Sequence, residues 1–302
     1  MAHTHFTSIP LIDVAGLYAD DPAQRQRVAD ELGRAAREVG FLQITGHGIS
    51  RDLRDGLIQQ ARSFFARPLE EKMRFYIGRS SNHSGYVPEG EEQFVGGSKD
   101  LKEAYDVNYD YTEAAQVYPL LGPTQWPDSA DFKREVGAYY RAALALGDML
   151  FRGFALALGL ADDTFAGITR HPTSQLRMIH YPLDPDPVAD RPGIGAHTDY
   201  ECFTILLPTA EGLQVLNGDG QWIDVPLVED AFVINIGDML EEASGRYFPS
   251  TVHRVLNPVG EAARKRAVYT DFMVMHDAID EYQVGKIPTG EAFRQRFGNP
   301  YA

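Results

Sequence analysis

Two kinds of hydrophobic pattern follow one another along the chain, and the change falls after Asp163. Before it, apolar residues recur every three to four positions in three stretches, the spacing of one helix face. Arg25–Val39 carries Val28, Leu32, Ala35, Ala36 and Val39 in this way and runs into Gly40, suited to a helix C-cap. A second predicted helix, Arg51–Phe65, is closed by Arg67-Pro68. Phe132–Leu158 is the strongest, apolar at Val136, Tyr139, Tyr140, Ala143, Leu144, Leu150, Phe151 and Phe154. Ile9–Val14 and Phe41–Ile44 read as short strands, the latter stopped by Gly46-His47-Gly48. Residues 79–127, rich in Gly, Pro, Ser and Tyr, read as long loops with short extended pieces.

Beyond Asp163 the runs are short and separated by Gly, Pro, Asn and Asp: Leu176–Tyr181, Cys202–Leu207, Gln214–Leu216, Trp222–Val225, Ala231–Ile236, Thr251–Leu256 and Ala267–Met275. Many short strands at this spacing predict a sandwich or barrel of the jelly-roll kind. The expectation is a mixed α/β (α+β) fold, with a β-core over about 170–275 and helices packed outside. In chain order that means an N-terminal helix/strand region (1–115), a long packing helix (116–165), the β-core (166–280) and a C-terminal tail (281–302) with a short helix at Gly290–Phe297. These are expected to form one compact unit.

Composition adds exclusions. The 302 residues are 44% hydrophobic and 24% charged, so neither a disordered nor a fibrous chain is expected. A net charge of −15 repels phosphate backbones and anionic lipid, which argues against nucleic-acid polymers and membranes as partners. Cys202 is the single cysteine, so there is neither an intramolecular disulfide nor a multi-cysteine metal site, and it reads as a small core residue. No apolar run approaches the length of a membrane span, and the first residues lack a charged-then-apolar leader. A cytoplasmic protein, monomer or weak homodimer, acting on a small molecule is the resulting expectation.

Candidate chemistry begins at His197-Thr198-Asp199. In an extended strand, residues two apart share a face, so the imidazole and the carboxylate project together. The triplet alone says little, since about one His-x-acid is expected by chance at this composition. Its setting is more informative, because it follows Gly193-Ile194-Gly195 and opens a buried apolar run. His253, opening His253-Arg254-Val255-Leu256, supplies a second imidazole on a later strand. Two histidines and one carboxylate make the facial triad that holds Fe(II) with three positions open. Zinc competes for such a set, but a zinc hydrolase also needs a general base beside the bound water, and none stands at a telling spacing. The plain alternative is a surface pair and a structural histidine. Further on, Arg266, Val268, Thr270 and Phe272 share a strand face. An arginine on the inner face of a β-core needs a carboxylate partner, and a ligand carboxylate fits; Arg264 is the rival across the charged turn.

Taken together, the chain resembles the 2-oxoglutarate- and iron(II)-dependent oxygenases, in the branch similar to isopenicillin N synthase. The matching pieces run in order through most of its length: Ile9–Asp13, Gly40–Ile49, Gly85–Pro88, Lys102–Asp106, Leu176-Arg177 through Tyr181-Pro182, His197–Tyr200, Gly212–Val215, Asn235–Asp238 and His253–Val255. The resemblance implies a double-stranded β-helix flanked by helices, with His197, Asp199 and His253 as iron ligands. It also implies that Arg266 pairs with the distal carboxylate of 2-oxoglutarate, that Tyr181 donates a hydrogen bond to this co-substrate, and that O2 is consumed, with ascorbate an activator in vitro. CO2 and succinate are the co-products, and hydroxylation of a C–H bond is the default outcome.

Two positions depart from the family pattern. Val268 stands where serine usually follows the arginine, and Ile179 where asparagine is common. A missing hydroxyl removes about 0.5–1.5 kcal/mol, and Thr270 is placed to replace it. Val268 also keeps open an oxidase that needs no 2-oxoglutarate. Uncoupled 2-oxoglutarate breakdown of the ethylene-forming type and a catalytically dead jelly-roll binding module complete the alternatives. Tyr86, Phe94, Tyr105, Arg177 and Phe248 are the expected substrate-side residues, with an aromatic or amphipathic small molecule in view. His47 is expected to bond backbone, His180 and His276 to point outward or cap, and Lys102-Glu103 to lie in a solvated charged loop.

Overall fold

The computed structural model describes residues 5–80, 82–91, 102–110, 122–166, 173–181 and 192–256, and the backbone of 268–274. In chain order, β1 (Leu11–Asp13) leads through a 3-10 turn into α1 (Pro22–Glu38), β2 (Phe41–Thr45), α2 (Arg51–Phe65) and α3 (Leu69–Met73). Then come β3 (Gly85–Val87), β4 (Glu103–Asn108), α4 (Ala130–Ala157), β5 (Gln175–His180), β6 (Pro192–His197), β7 (Phe203–Leu207) and β8 (Leu213–Leu216). The last elements are β9 (Trp222–Asp224), β10 (Phe232–Ile236), α5 (Asp238–Ala243), β11 (His253–Leu256) and β12 (Val268–Val274).

Local chemistry sets the helix ends. Asp21 caps α1 from its side chain with Pro22 at the first helical position, and Ser50 and Ser129 accept from the Leu53 and Phe132 amides to start α2 and α4. The expected C-cap is present: Gly40 takes φ +71° and its amide donates to the Ala36 carbonyl at 3.0 Å.

Among the described residues, eight strands form the larger sheet in the order β1-β2-β10-β7-β12-β5-β4-β3, and four form the smaller one, β6-β11-β8-β9. Alternation divides each strand of the larger sheet between two environments. Leu42, Ile44, Leu176, Met178, Phe203, Ile205, Phe232 and Ile234 face the helices, where Phe64, Phe132, Phe151 and Phe154 are buried. Each such aromatic ring contributes on the order of 1.5–3 kcal/mol. The opposite face, with Phe41, Ala104, Ile179, Tyr181, Leu206 and Val233, meets Ile194, Leu213, Val215 and Val255 of the smaller sheet. That second cluster is the interior of the jelly roll.

The β-core therefore starts earlier than 170. β1 and β2 lie beside β10, and β3 and β4 extend the sheet beyond β5. β4 falls in the stretch read as loop, because its strand alternation is carried by charged residues that are buried and paired. Lys102 and Glu103 are buried, not solvated. Glu103 accepts from Lys72 Nζ (2.6 Å) and the Tyr86 hydroxyl (2.6 Å) and bonds His180 Nδ1 (2.8 Å). His180 accordingly stacks on Phe65 instead of pointing outward. β6 also escapes the pattern reading, its run being broken by Pro192 and two glycines. His47 is structural as expected, its Nδ1 accepting from the Ile49 amide and its Nε2 donating to the Asp230 carbonyl. Cys202 is a buried core residue. No described helix is long and apolar enough to cross a membrane. Gly290–Phe297 and His276 lie outside the described residues.

Candidate metal centre

Two register pairs, one from each sheet, build the site. In the smaller sheet His253 of β11 lies directly across from His197 of β6, and their ring centroids are 4.3 Å apart. In the larger sheet Asn235 of β10 lies directly across from Thr204 of β7, both on the interior face. Asp199 sits in the link between β6 and β7, where the chain passes from one sheet to the other. Its carboxylate joins the two pairs. Oδ2 accepts from Thr204 Oγ1 at 2.7 Å and from Asn235 Nδ2 at 2.6 Å, which leaves Oδ1 facing the histidines. From Oδ1, His197 Nε2 is 3.4 Å away and His253 Nε2 3.5 Å.

The far side of each imidazole is occupied as well. His197 Nδ1 bonds the Gly195 carbonyl at 2.7 Å, and His253 Nδ1 bonds the Thr251 carbonyl at 3.1 Å. A carbonyl only accepts, so Nδ1 carries the proton in each neutral ring and Nε2 presents its lone pair. All three donor atoms lie within 4.8 Å of one another. The set fits a divalent cation: two neutral nitrogens and one anionic oxygen converge, each oriented by an outer hydrogen bond. Fixed ligands on one side only leave the other side for further ligands.

Electrostatics agree with that fit. Burial alone raises the Asp199 pKa, but the charge that His253 and His197 carry when protonated, together with the hydrogen bond from the Asn235 amide, outweighs it and keeps the carboxyl well below its usual range. Burial pushes His253 down to about 4, against the opposing pull of Asp199, so its lone pair is available at neutral pH. For His197 burial also pulls downward, but the bond and charge from Asp199 prevail and the shift is upward.

Thr204 and Asn235 were not among the candidates read from sequence. The signal for Asn235 was an amide in the otherwise apolar run Phe232–Ile236; Thr204 gave none, being an ordinary strand residue. Replacing Asn235 with leucine is expected to weaken cobalt or iron binding by roughly 10–100-fold in a metal titration, as for other residues that orient ligands. Unchanged affinity would show that its bond to Asp199 is incidental.

Other candidates are distributed differently. Arg264, Arg266 and Phe94 lie outside the described residues, as does the side chain of Thr270, whose backbone pairs with Met178 and Leu207. Tyr181 is buried in the interior cluster. Tyr86, Tyr105 and Phe248 are corrected as substrate contacts, because all three face the helices. Tyr86 donates to Glu103, Tyr105 packs on Phe64 at 4.6 Å between centroids and donates to the Gln125 carbonyl, and Phe248 packs on Phe154. Arg177 faces the interior, held side-on by Asp106 at 2.8 and 2.7 Å.

Comparison with known proteins accounts for this arrangement. A family described as the 2OG-Fe(II) oxygenase superfamily matches residues 172–273, and the non-haem dioxygenase in morphine synthesis N-terminal family matches residues 9–129. The 2-oxoglutarate-Fe(II) type oxidoreductase hxnY of Emericella nidulans is 34% identical over 268 residues, covering 84% of this chain and 76% of its own length. The chain belongs to the 2-oxoglutarate- and Fe(II)-dependent oxygenases. Homoarginine-6-hydroxylase 2-ODD-C23.1 of Arabidopsis thaliana is likewise 34% identical, over 84% of this oxygenase and 81% of the relative. Among solved structures, a 2OG-Fe(II) oxygenase family protein from Caulobacter crescentus superposes with TM-score 0.80 at 31% identity, covering 90% and 88% of the two chains. JOX2, solved in complex with 2OG, Fe and JA, gives 0.72 at 27% identity over 91% and 76%. The oxygenase therefore uses Fe(II) and 2-oxoglutarate, on the fold the site geometry describes.

Proposed function

We propose that this dioxygenase hydroxylates a C–H bond of a small molecule, with His197, Asp199 and His253 holding the iron. The supporting observation is the closed set of outer bonds. Every ligand atom that does not face the common centre is engaged by Gly195, Thr251, Thr204 or Asn235, so the three that do face it have one orientation. A ferrous ion there supplies activation of O2 and oxidation of the bound carbon, in concert with decarboxylation of 2-oxoglutarate to succinate and CO2.

The chain's own contribution is positional. The interlocked histidines and Asp199 keep three ligands on one side of the metal, and the apolar interior of Ile179, Leu206, Val215 and Val255 limits access of water. Arg266 and Tyr181 are assigned to the co-substrate, Arg266 to its distal carboxylate and Tyr181 by its hydroxyl, with Arg264 the alternative to Arg266. Measuring succinate against substrate consumed under Fe(II), 2-oxoglutarate and O2 tests the reading. A ratio of one to one is expected. Substrate loss without succinate would mean an oxidase that takes all its electrons from its own substrate, and ethylene in the headspace without added substrate would mean uncoupled breakdown.

A further inference from the structure

Three consecutive residues where α1 ends touch the supports of two different metal ligands. The Val39 carbonyl accepts from Thr251 Oγ1 at 2.7 Å, a contact between residues 212 apart in sequence. The Gly40 carbonyl accepts from the Ile236 amide at 2.9 Å. Phe41, which opens β2, lies directly across from Asn235 on β10. Its ring also meets the His253 imidazole in a T-shaped contact, with centroids 5.1 Å apart and planes at 63°. One short turn therefore holds the strand whose Asn235 amide binds Asp199 and the segment whose Thr251 carbonyl binds His253. The fit is tight. Gly40 has φ +71°, and a Cβ there would stand 2.3 Å from Thr251 Oγ1 and 2.4 Å from the Pro249 carbonyl oxygen.

The two imidazoles of the triad are oriented by different means. His197 Nδ1 bonds the Gly195 carbonyl, and Gly195 is itself part of β6, so strand geometry sets the direction of that carbonyl. Thr251 stands two residues before His253, which opens β11, so its peptide lies outside the strand. What ties Thr251 down is its own hydroxyl, seated on a carbonyl at a helix end. A helix leaves its last carbonyls without an intrahelical donor, so α1 offers a rigidly placed acceptor. Thr251 is 1% exposed and Val39 4%, so removing the hydroxyl would leave that carbonyl buried without this donor. The Phe41 ring, packed on the imidazole, limits how far His253 can turn.

We infer that Thr251 and Phe41 are positioning residues for the metal: the Thr251 hydroxyl, anchored on the end of α1, and the Phe41 ring set the direction of His253 Nε2. The inference rests on the proposed role of His253 as an iron ligand and extends the support of that ligand into the N-terminal helix and strand region. Its consequence is one-sided. Disturbing the anchor moves His253 and leaves His197, whose acceptor belongs to β6, in place.

Full-length protein loaded with Co(II) tests this by metal titration and by its proton NMR spectrum, in which the Nδ1 protons of cobalt-bound imidazoles give separate, strongly shifted resonances. Absence of two such resonances from the wild type overturns the ligand assignment and the inference with it; their presence leaves the variants to judge the anchor. Thr251→Val, which loses the hydroxyl, and Phe41→Leu, which loses the ring, are each expected to weaken cobalt binding about tenfold. Each is also expected to displace one of the two resonances and leave the other. Thr251→Ser, which keeps the hydroxyl, is expected to bind cobalt within about twofold of wild type. Wild-type affinity with both resonances in place overturns the inference for the residue replaced. Equal weakening in Thr251→Ser and Thr251→Val overturns it as well, since the lost methyl packing would then be the cause. So does a displacement of both resonances together, the mark of a general distortion of the centre. Each variant judges its own residue, so Phe41→Leu decides even if Thr251→Val does not fold.

Discussion

Asp199→Ala is expected to abolish iron-dependent turnover, by at least about a thousandfold, which corresponds to roughly 4 kcal/mol of transition-state stabilisation. The magnitude follows from the three tasks that one carboxylate performs. Its Oδ1 is the only anionic donor in the triad, so its loss leaves two neutral imidazoles to hold a dication. Its Oδ2 occupies Thr204 Oγ1 and Asn235 Nδ2, which would be left as buried donors without an acceptor. Its position between the sheets also fixes where the donors of the larger sheet meet the histidines of the smaller one. Asp199→Asn separates the first task from the others, since an amide keeps one oxygen and the shape while losing the charge. Iron titration and succinate production on both variants check this. Wild-type turnover in Asp199→Ala would falsify the ligand assignment.

The sequence revealed this centre unevenly, for physical reasons. His197 and Asp199 were legible because they stand two residues apart, although only His197 lies in a strand and Asp199 reaches the same centre from the link beyond β6. His253 was legible because it opens a later strand of the same β-core. Thr204 and Asn235 were not, since their meaning depends on a register pairing between strands about thirty residues apart, which no local pattern encodes. The substrate-side expectations show the same limit from the other direction. Tyr86 and Tyr105 were expected on substrate-side loops, but they stand on β3 and β4, and which face of those strands looks inward is set by where α2 and α4 pack. That packing turned both tyrosines toward Phe64 and left Asp106 and Arg177 inside. Lys102 and Glu103 show why β4 was read as loop: buried charges read as solvated ones until their partners are known, and Lys72 lies 31 residues away from Glu103.

Gly237→Ala is expected to cost at least about a hundredfold in iron affinity while leaving the sheets and helices intact, although it touches no metal-ligating atom. Gly237 has φ −99°, open to any residue, so the effect is one of space and not of backbone strain. A Cβ at this position would stand 2.0 Å from the Glu201 carbonyl oxygen and 3.2 Å from that of Asp199, and both are main-chain atoms that no rotamer change can move. Nor can the segment drift away easily. The Gly237 amide donates to the Cys202 carbonyl at 3.0 Å, Asp238 to Asp199 at 2.7 Å and Met239 to Glu201 at 3.2 Å. These bonds tie the 199–202 link to the start of α5, so relieving the clash means moving the link by about 1 Å or breaking the ties. Metal–ligand distances tolerate only about 0.2 Å, and Asp199 is the ligand that moves with the link. Circular dichroism of the variant should retain the wild-type spectrum, and a cobalt titration should show the weakened site. Wild-type affinity in a folded variant would mean that the link yields without moving Asp199, and the bonds to Thr204 and Asn235 would then be the ones that hold the carboxylate in place.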